Sequence, residues 1–433
     1  MINTFIQPEF LARMCKNDTE LNRKIDEGQK LAFLDSPVRA QTRGVLIAMR
    51  RFGKISFGKL QSTYGNIQIM FNADTSFEES VGIKNVLLGC YLEVLGQIAL
   101  TSTKEPTLVV ETVKLLQEAR MSFPDKFNGI SNEQKRKLRY QETLVNQDAH
   151  NLILNRSKFM RVIRNYLDGK GFLEVETPIL HNAACGANAR SFTTHVRATD
   201  SAQVLRIAPE TYLKRMTAGG FHKIYEIGKQ FRNEGVDPTH MPEFTSCEWY
   251  EAFTDYKDQI PNFLNMVSVI EDAFGKKILP ERMEVRSWAS LMAEHAPSPT
   301  EVDPNLSLDE IFKKYVRPNL QEPIIVADYP AVVAPLAKRS SYEPGFVEMW
   351  QFIWKGQEIA KCYTELVDPV AQREALERQR GEHEAMELDE GFLQTMEFGM
   401  PPQAGLGFGV DRLFALMMEV DDIRDSVFFP LGV

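Results

Sequence analysis

Charged and aromatic side chains are concentrated in two short runs of the sequence, and their types suit a site for a phosphorylated nucleotide. The first run, Phe231 to Tyr250, contains an arginine, two carboxylates, a histidine and an aromatic ring at positions 232, 234, 248, 240 and 244. The second run, Gly405 to Arg412, is rich in glycine and ends in an arginine. The planar guanidinium group binds carboxylates and phosphates through paired hydrogen bonds. The two runs therefore indicate a site for a triphosphate and a small charged molecule.

Two antiparallel strands would bring the residues of the first run together. Because side chains alternate between the two faces of a strand, Arg232 and Glu234 are expected on one face. The same alternation places four residues of the next strand on one face: Phe244, Ser246, Glu248 and Tyr250. With His240 in the loop between them, the two strands are predicted to form the floor of the site.

Each side chain on this floor has a predicted role. Arg232 bridges a carboxylate and a phosphate, and His240 reaches the terminal phosphates. Phe244 offers a ring on which a purine stacks, and Glu234 accepts a hydrogen bond from the exocyclic amine. Taken singly, such residues are more often part of a half-buried hairpin whose charges face water. Their combined spacing favours the binding site over that alternative.

From about residue 40 to its C-terminus, the chain resembles the lysyl-tRNA synthetases, in the lysine, aspartate and asparagine subgroup of the class II aminoacyl-tRNA synthetases. Positions 232–250 resemble the second signature motif of that family, and positions 405–412 with 422–425 resemble the third. Positions 172–178 resemble the first, which lies at the dimer interface in the family. The resemblance implies that the chain activates L-lysine with ATP and transfers it to tRNA(Lys), as a homodimer.

The resemblance also implies which residues bind the nucleotide. The ATP-binding residues are expected to be Arg232, Glu234, His240, Phe244, Glu358 and Arg412. The lysine carboxylate is already ionised, so it attacks the α-phosphate of ATP without a protein base. Catalysis then comes from positioning, and from Arg232, His240 and Arg412, which together with Mg²⁺ neutralise the phosphates. Glu358 is the expected protein ligand of this hard cation.

A lysine substrate needs anionic partners in a slot away from water, because an unpaired buried charge is unfavourable. The resemblance implies a lysine pocket formed by Gly186, Glu210, Arg232, Glu248, Tyr250, Tyr363 and Glu365. Within it, Glu248 and Glu365 are expected to hold the side-chain ammonium. Glu210 and the backbone around Gly186 are expected to hold the α-amine, and Arg232 the α-carboxylate.

Three departures from the family pattern bear on this site. Lys361 stands where asparagine is expected near the substrate carboxylate, and Gln351 where a second metal-binding glutamate is expected. Ala184-Cys185 replaces Pro-Gly before Gly186. Two unit charges about 4 Å apart interact by about 4 kcal/mol at an effective dielectric near 20, so Lys361 matters if it faces the pocket. We expect it to contact the substrate carboxylate or a phosphate, and we expect fewer protein-bound metal ions than in the family.

Short runs of alternating polarity predict a small β-barrel near the N-terminus, with the OB-fold as the natural candidate. They lie at positions 44–49, 55–60, 66–71, 91–96 and 107–111. In the family this barrel binds the tRNA anticodon, and the resemblance gives Phe57 as the base-stacking ring, Gln68 as a base reader and Glu105 as a third contact. Stacking contributes about 1 to 3 kcal/mol per base. A barrel-core position is the alternative for Phe57.

The predicted architecture is α+β. It comprises an N-terminal helical extension at 1–40, an OB-fold anticodon-binding domain at 41–120, a linker at 121–150 and a class II catalytic domain at 151–433. The catalytic domain is expected to contain an antiparallel sheet flanked by helices. A helix expected at 152–167 carries an apolar stripe suited to core or dimer packing.

Composition restricts the class of protein. The hydrophobic share of 43% and the charged share of 25% are those of a soluble globular protein. The absence of a long apolar run or a signal-peptide core predicts no membrane span and a cytoplasmic location. Five scattered cysteines predict neither disulfides nor a zinc site. The net charge of -9 is unfavourable for RNA, but basic residues cluster near positions 50–59, 135–139 and 156–164.

Two other functions remain open from the sequence. One is a synthetase-like enzyme that activates a different amino acid or a lysine analogue, or that modifies a protein instead of tRNA. The acidic pair Glu248 and Glu365 is unfavourable for an aspartate side chain, and the predicted barrel is unfavourable for a protein-modifying enzyme. The other is a non-catalytic relative that binds tRNA, an alternative that Gln351 keeps open.

Overall fold

The computed structural model describes residues 6–35, 38–77, 86–121, 131–187, 189–298, 300–334, 336–382 and 388–431. The chain divides into two compact units, one ending at Leu154 and the other beginning at Asn155. Within the described ranges, no helix is both long enough and apolar enough to cross a membrane.

The first unit is built on a single sheet. Its strands are β1 (Leu31–Phe33), β2 (Arg39–Phe52), β3 (Ile55–Gln61), β4 (Asn66–Phe71), β5 (Ser76–Phe77), β6 (Tyr91–Thr101) and β7 (Pro106–Gln117). Their order is β1-β6-β2-β3-β4-β7-β5, and β6 also pairs with β7. The five strands predicted from alternating polarity are confirmed, since they fall within β2, β3, β4, β6 and β7.

Four short helices belong to the first unit: α1 (Pro8–Asn17), α2 (Thr19–Asp26), α3 (Asn132–Lys137) and α4 (Arg139–Val145). Leu11 and Cys15 of α1, with Leu21 and Ile25 of α2, are buried in one core with the strands. Helices α3 and α4 lie in the segment predicted to be a linker, of which residues 122–130 lie outside the described ranges. The sequence interpretation did not predict these two helices.

The second unit contains a large sheet and most of the helices. Its helices, the first of which begins before residue 155, are α5 (Gln147–Gly169), α6 (Glu210–Ala218), α7 (Gln259–Phe274), α8 (Trp288–His295), α9 (Leu308–Ile311), α10 (Pro369–Glu382), α11 (Glu390–Glu397) and α12 (Val410–Met418). A π-helical turn (Phe312–Val316) and 3₁₀ turns (Arg317–Asn319, Ile423–Ser426) complete the helical structure within the described ranges.

Eight of its strands form the large sheet, in the order β14-β15-β16-β17-β18-β13-β12-β8. They are β8 (Leu173–Glu174), β12 (Lys223–Phe231), β13 (Glu243–Ala252), β14 (Glu284–Ser287), β15 (Ile324–Pro330), β16 (Phe346–Trp354), β17 (Gln357–Thr364) and β18 (Gln403–Gly409). A small sheet contains β9 (Leu180–His181), β10 (Thr193–Val196) and β11 (Ser201–Leu205). The predicted antiparallel pairing is confirmed in the centre of the large sheet, whereas both edge pairs are parallel.

Helices cover the two faces of the large sheet differently. On one face, the ring of Phe263 in α7 contacts those of Phe352 and Phe408, with centroids 5.2 and 6.0 Å apart. On the other face, Leu213 of α6 packs against Tyr250, and a cluster around α8 covers β15 and β16. The middle strands β13, β18 and β17 lie between these two covers, and side chains on their second face contribute to the candidate site.

Candidate active site

Glycines of β18 form the floor of a groove on the second face of the large sheet. Gly407 pairs with Glu248 of β13 on one side and with Lys361 of β17 on the other. Directly opposed residues point to the same face of a sheet, so the two side chains stand at the edges of the groove. Both are partly exposed, and the ammonium of Lys361 lies 5.7 Å from the ring centroid of Tyr363.

The next row on this face is aromatic. Gly405 pairs with Tyr250 of β13 and with Tyr363 of β17. A Cβ atom at Gly405 would lie 2.9 Å from Cζ of Tyr250 and closer still to Oε1 of Glu365, so a larger residue does not fit there without movement. Glu365, one residue beyond β17, therefore lies against the same end of the groove.

A buried lysine connects two of the predicted lysine-binding residues. Lys214 lies one helical turn after Glu210 in α6, and its ammonium forms ion pairs with Oε1 of Glu210, at 2.5 Å, and with Oε2 of Glu365. Only 1% of the Lys214 side chain is exposed. The hydroxyl of Tyr363 donates to the same oxygen of Glu210 at 2.7 Å. The acidic pocket, as we name it, comprises Glu210, Lys214, Glu248, Tyr250, Tyr363 and Glu365.

Burial changes the acid strength of the groups in the acidic pocket. It raises the pKa of Glu248 to about 8; the nearby Glu210 acts in the same direction, and Arg232 opposes it. Burial also raises the pKa of Glu365 to about 8 in spite of the ion pair with Lys214. At Lys214 burial acts downward, but Glu210 and Glu365 outweigh it and raise the pKa of the ammonium. The lysine therefore stays charged, but its single ammonium does not balance the charge of the three acids around it.

The carboxylate of Glu365 accepts no hydrogen bond from any residue that the structure describes, although both of its oxygens are buried. Oε2 lies in the ion pair with Lys214, whereas Oε1 has neither a hydrogen bond nor an ion pair. A buried carboxylate oxygen without a donor is unfavourable, because its lost hydration is not replaced. An ammonium group on a bound molecule would supply the missing donor.

Gly186 lies against the acidic pocket. Its φ is +86°, a conformation that glycine adopts without a steric penalty. A Cβ atom there would lie 3.0 Å from Cβ of Glu210. The preceding Cys185 is buried, with Sγ 3.3 Å from Oγ1 of Thr211, and burial raises the pKa of this thiol to about 12. Cys185 is thus a packing residue, and all five cysteines are buried and free.

An ion pair neutralises a further acid beside Glu248. Glu226 of β12 pairs directly with Glu248 across the sheet. Its Oε1 accepts from Nη1 of Arg206 at 2.6 Å, and its Oε2 accepts from the hydroxyl of Thr177 at 2.7 Å. Because Glu226 is compensated in this way, it does not compete with the acidic pocket for a cation.

Arg232 lies immediately after β12, which ends at Phe231. The guanidinium carbon of Arg232 is 5.1 Å from the ring centroid of Phe244. The main-chain N–H of Arg232 donates to the carbonyl of Pro242 at 2.8 Å. The predicted antiparallel pairing of β12 with β13 is confirmed. The expectation that Glu234 continues the strand is wrong, because the chain turns there: the Glu234 N–H donates back to the carbonyl of Arg232 and the side chain is exposed.

His240 is oriented by a neighbouring acid in its loop. Its Nδ1 lies 2.8 Å from Oδ2 of Asp237, whose Oδ1 accepts from the Thr239 N–H at 2.6 Å. Burial acts upward on the pKa of Asp237, but these hydrogen bonds lower it to about 2. The ionised Asp237 holds the half-exposed imidazole in place.

Arg412, in the first turn of α12, is held by main-chain carbonyls. Its Nε donates to Thr239 at 3.1 Å and its Nη1 donates to Glu358 at 3.0 Å. Burial lowers the pKa of Arg412. The positive charge of Arg232 lowers this pKa further, whereas the carboxylate of Glu358 raises it. The structure therefore brings Arg412, Arg232 and Glu358 together.

Oxygen ligands for a metal ion are few near Glu358. Within the described ranges, no group of three or more His, Cys, Asp or Glu side chains could hold a metal ion. Gln351 is buried, and its Oε1 accepts from the hydroxyl of Tyr329 at 2.7 Å. Mg²⁺ keeps several waters and is often bound by one or two carboxylates together with substrate phosphates. The single carboxylate of Glu358 is therefore suited to a Mg²⁺ ion whose other ligands would be nucleotide phosphates and water.

The predicted anticodon residues lie on the outer face of the first unit. Phe57 is partly exposed, whereas its strand neighbours Ser56 and Gly58 are buried. It lines a cavity of about 440 Å³ together with Gln68, Arg50 and Lys30. The amide of Gln68 donates to the hydroxyl of Thr107 at 2.8 Å.

Glu105 and an exposed ring extend this surface. Glu105 is partly exposed in the loop between β6 and β7, next to residues 101–103 of the cavity wall. The ring of Phe52, 62% exposed, contacts that of Phe57 edge to face, with centroids 6.2 Å apart. The alternative of a core position for Phe57 does not hold, because its ring faces this cavity.

Several structurally important residues were missed from the sequence. Lys214, four residues after Glu210, has the spacing of an ordinary surface ion pair, and nothing local indicates burial. Asp411 is buried, accepts from the Thr245 N–H at 2.7 Å and forms an ion pair with Arg156. In the sequence, the only indication of this connection between α12, β13 and α5 is that Asp411 stands next to Arg412.

Comparisons with known proteins extend the resemblance. Residues 131–432 match the family model described as tRNA synthetases class II (D, K and N). A lysine–tRNA ligase of Enterococcus faecalis is 36% identical over 454 residues, which cover 96% of this chain and 91% of the relative. A lysine–tRNA ligase of Clostridium tetani is 36% identical over 429 residues, which cover 89% of this chain and 86% of the relative. A lysine–tRNA ligase of Aquifex aeolicus is 37% identical over 428 residues, which cover 89% of this chain and 72% of the relative.

Proposed function

We propose that this chain, which belongs to the class II tRNA synthetases of the D, K and N group, acts as a lysine–tRNA ligase. It activates L-lysine with ATP to form lysyl-adenylate and then transfers the lysyl group to the 3′ end of tRNA(Lys). Relatives that carry the name lysine–tRNA ligase, aligned over 96% and 89% of this chain, support this choice within the group.

The charge balance of the acidic pocket is the observation that carries the proposal. The carboxylates of Glu210, Glu248 and Glu365 carry three negative charges when ionised, and Lys214 supplies one positive charge. Two negative charges remain, and L-lysine carries two ammonium groups. An aspartate or asparagine side chain offers no cation to these acids, so the pocket disfavours the other two substrates of the group.

The residues around Arg232 provide the activation chemistry. The carboxylate oxygen of lysine attacks the α-phosphorus of ATP, the bond to the bridging oxygen breaks, and pyrophosphate leaves. Arg232 binds the substrate carboxylate and the α-phosphate, Phe244 stacks on adenine, and Glu234 accepts from its amine. His240 and Arg412 bind the β- and γ-phosphates, whose charge they neutralise.

Mg²⁺ belongs to the same proposal. Glu358 would hold it together with the phosphates of ATP, and the ion would supply further neutralisation of phosphate charge. Gln351 contributes no anion to this site and is engaged with Tyr329, which supports fewer protein-bound ions than the family pattern. Lys361 stands across Gly407 from Glu248, and no carboxylate lies within ion-pair distance of its ammonium in the described part of the chain. We assign it to the substrate carboxylate or the α-phosphate.

The first unit is proposed to bind the anticodon of tRNA(Lys). The pairing of β6 with both β2 and β7 returns the sheet on itself, which supports an OB-fold barrel. Phe57 stacks on an anticodon base, Gln68 reads a base edge and Glu105 is a third contact. The cationic Arg50 and Lys30 beside Phe57 suit a phosphate backbone.

Assembly and domain limits complete the proposal. We keep the domain limits that the sequence predicts, residues 1–40, 41–120, 121–150 and 151–433, as part of the proposal, together with a cytoplasmic location. Leu173, Ile179 and Leu180 are apolar and 51%, 45% and 43% exposed. They lie in or just after the segment that resembles the dimer-interface motif, which supports a homodimer.

ATP–pyrophosphate exchange with each amino acid in turn tests the function. Exchange that depends on lysine alone is the expected result, followed by lysylation of tRNA(Lys). Exchange with a different amino acid would show that the enzyme activates that amino acid instead of lysine. No exchange with any amino acid would overturn the proposed activity and favour a binding protein.

A further inference from the structure

Lys214 has an environment that few lysines share. Its side chain is essentially without solvent contact, and its ammonium is ion-paired with Glu210 and Glu365. Its charge also lies 5.6 Å from the ring centroid of Tyr363 and 5.8 Å from that of Phe392. Burying a charge requires compensation from partners, and here the two partners are the residues proposed to hold the two amines of the substrate.

We infer that Lys214 is a positioning residue that sets the charge of the acidic pocket and thereby its selectivity for a substrate with two ammonium groups. The inference rests on the proposed function and adds to it a residue that does not contact the reacting atoms. By occupying Oε2 of Glu365, Lys214 leaves Oε1 as the acceptor for the substrate. Through Oε1 of Glu210 it also fixes the acid that faces Gly186.

The neighbouring charges determine what its removal does. The ionisable groups that face Lys214 are Glu210 on its own helix, Glu365 beyond β17 and Tyr363 on β17, with Glu248 and Tyr250 of β13 behind them. Without the lysine, three acids would face one another, and Arg232 and Arg206 would be the cations that still lower the pKa of Glu248. They would retain protons to a higher pH, and the state with two ionised carboxylates would be less populated at neutral pH.

Lysine-dependent pyrophosphate exchange between pH 6.5 and 9 with Lys214→Met tests the inference. The expected result is a rise of about tenfold or more in the KM for lysine at pH 7, with the fall of KM displaced to higher pH by about one unit. Lys158→Met is the matched control, because Lys158 packs on Phe274 and bonds the carbonyl of Ala273, away from the acidic pocket. An unchanged pH profile of KM would overturn the inference, even if the melting temperature falls.

A second variant keeps the test valid if Lys214→Met does not fold. Lys214→Met combined with Glu365→Gln removes one positive and one negative charge, so Glu210 and Glu248 still give the pocket two. The double variant is expected to bind lysine more tightly than Lys214→Met, or to fold where the single variant does not. Binding of lysine by the double variant that is no tighter than by a folded Lys214→Met would overturn the inference. Failure of the proposed function is distinguishable, because the unmodified protein would then show no lysine-dependent exchange.

Discussion

Glu248 and Lys361 stand on opposite sides of Gly407, the acid on β13 and the lysine on β17. This places a positive and a negative side chain on one face of the sheet with no side chain between them. The separation of charge matches an amino-acid substrate, whose ammonium groups and carboxylate lie on different atoms. The acid is suited to the cationic side chain, and Lys361 to the carboxylate that is activated.

Replacing Lys361 by asparagine is expected to weaken lysine activation. Loss of a charge-assisted contact should lower kcat/KM for lysine-dependent pyrophosphate exchange by about tenfold, or about 1.4 kcal/mol. Lys355→Asn is the control, since Lys355 is exposed in the β16–β17 turn with φ of 50°, a conformation that asparagine tolerates. A large gain in exchange with Lys361→Asn would contradict the role given to this lysine.

The affinity for lysine should depend on pH through Glu248 and Glu365. Burial raises the pKa of each to about 8, so in the free protein both acids take up protons at a higher pH than exposed glutamates do. The side-chain ammonium of lysine binds these two acids in their ionised form, so lysine binding releases protons. The KM for lysine should therefore fall as the pH rises from about 6.5 to about 8 and then level off. A KM that stays constant over this range would exclude the titration of these acids on binding.

Glu248→Gln should separate stability from activity. The folded protein raises the pKa of Glu248 above its ordinary value of 4.5 to about 8, so the folded state holds a proton that the unfolded state releases. Stability from this group is fully present below the lower value and is lost as pH rises toward 8. Glutamine does not ionise, so the variant should be more stable than the parent at pH 8, by about 1 kcal/mol or more, and nearly equal at pH 5.

Thermal unfolding at the two pH values, with lysine-dependent exchange beside it, measures both effects. The KM for lysine should rise by about tenfold or more, because a charged hydrogen-bond partner is lost. Glu243→Gln, on the same strand but in a surface ion pair with Lys229, controls for the loss of one carboxylate and should change neither quantity. If Glu248→Gln stabilised the protein equally at pH 5 and pH 8, the ionisation of Glu248 would not be the source of the pH dependence of stability.

Phe57→Ala should weaken tRNA binding without affecting adenylate formation. Loss of one stacked base, about 1 to 3 kcal/mol, corresponds to a rise of about 5- to 150-fold in the KM for tRNA(Lys). Pyrophosphate exchange in the absence of tRNA should be unchanged. Tyr64→Ala removes another ring of the same unit, 72% exposed but outside the cavity wall, and should leave the KM for tRNA unchanged. Equal effects of the two variants would remove the special role of Phe57.

The sequence predicted strands and the pairing of β12 with β13 well, because alternation and turn residues are local signals. It failed at Glu234, where the turn back to the Arg232 carbonyl depends on the following loop rather than on strand periodicity. It also missed Lys214, since a glutamate and a lysine four residues apart look the same on a solvated helix and on a buried one. The ion pair of Lys214 with Glu365 joins positions 151 residues apart, a contact that no local pattern encodes.

Gly405→Ala is expected to damage the acidic pocket more than Gly407→Ala. A methyl group at Gly405 would lie 2.9 Å from Cζ of Tyr250 and still closer to Oε1 of Glu365, the acceptor left for the substrate. At Gly407 the methyl would lie 3.2 Å from Cγ of Glu248, a contact that a small shift of the side chain relieves. The KM for lysine should therefore rise by about 100-fold or more for the first variant and by about tenfold or less for the second.

Gly169→Ala lies at the end of α5, where the added methyl would meet no atom within 4 Å outside its chain neighbours and its own helix backbone. It controls for the substitution itself and should leave exchange unchanged. Circular dichroism and thermal unfolding separate a displaced Glu365 from a misfolded sheet: a folded Gly405→Ala with normal KM for ATP and a raised KM for lysine locates the damage in the acidic pocket. If Gly407→Ala proves the more harmful of the two, the substrate side chain lies along the Glu248 row rather than against Glu365.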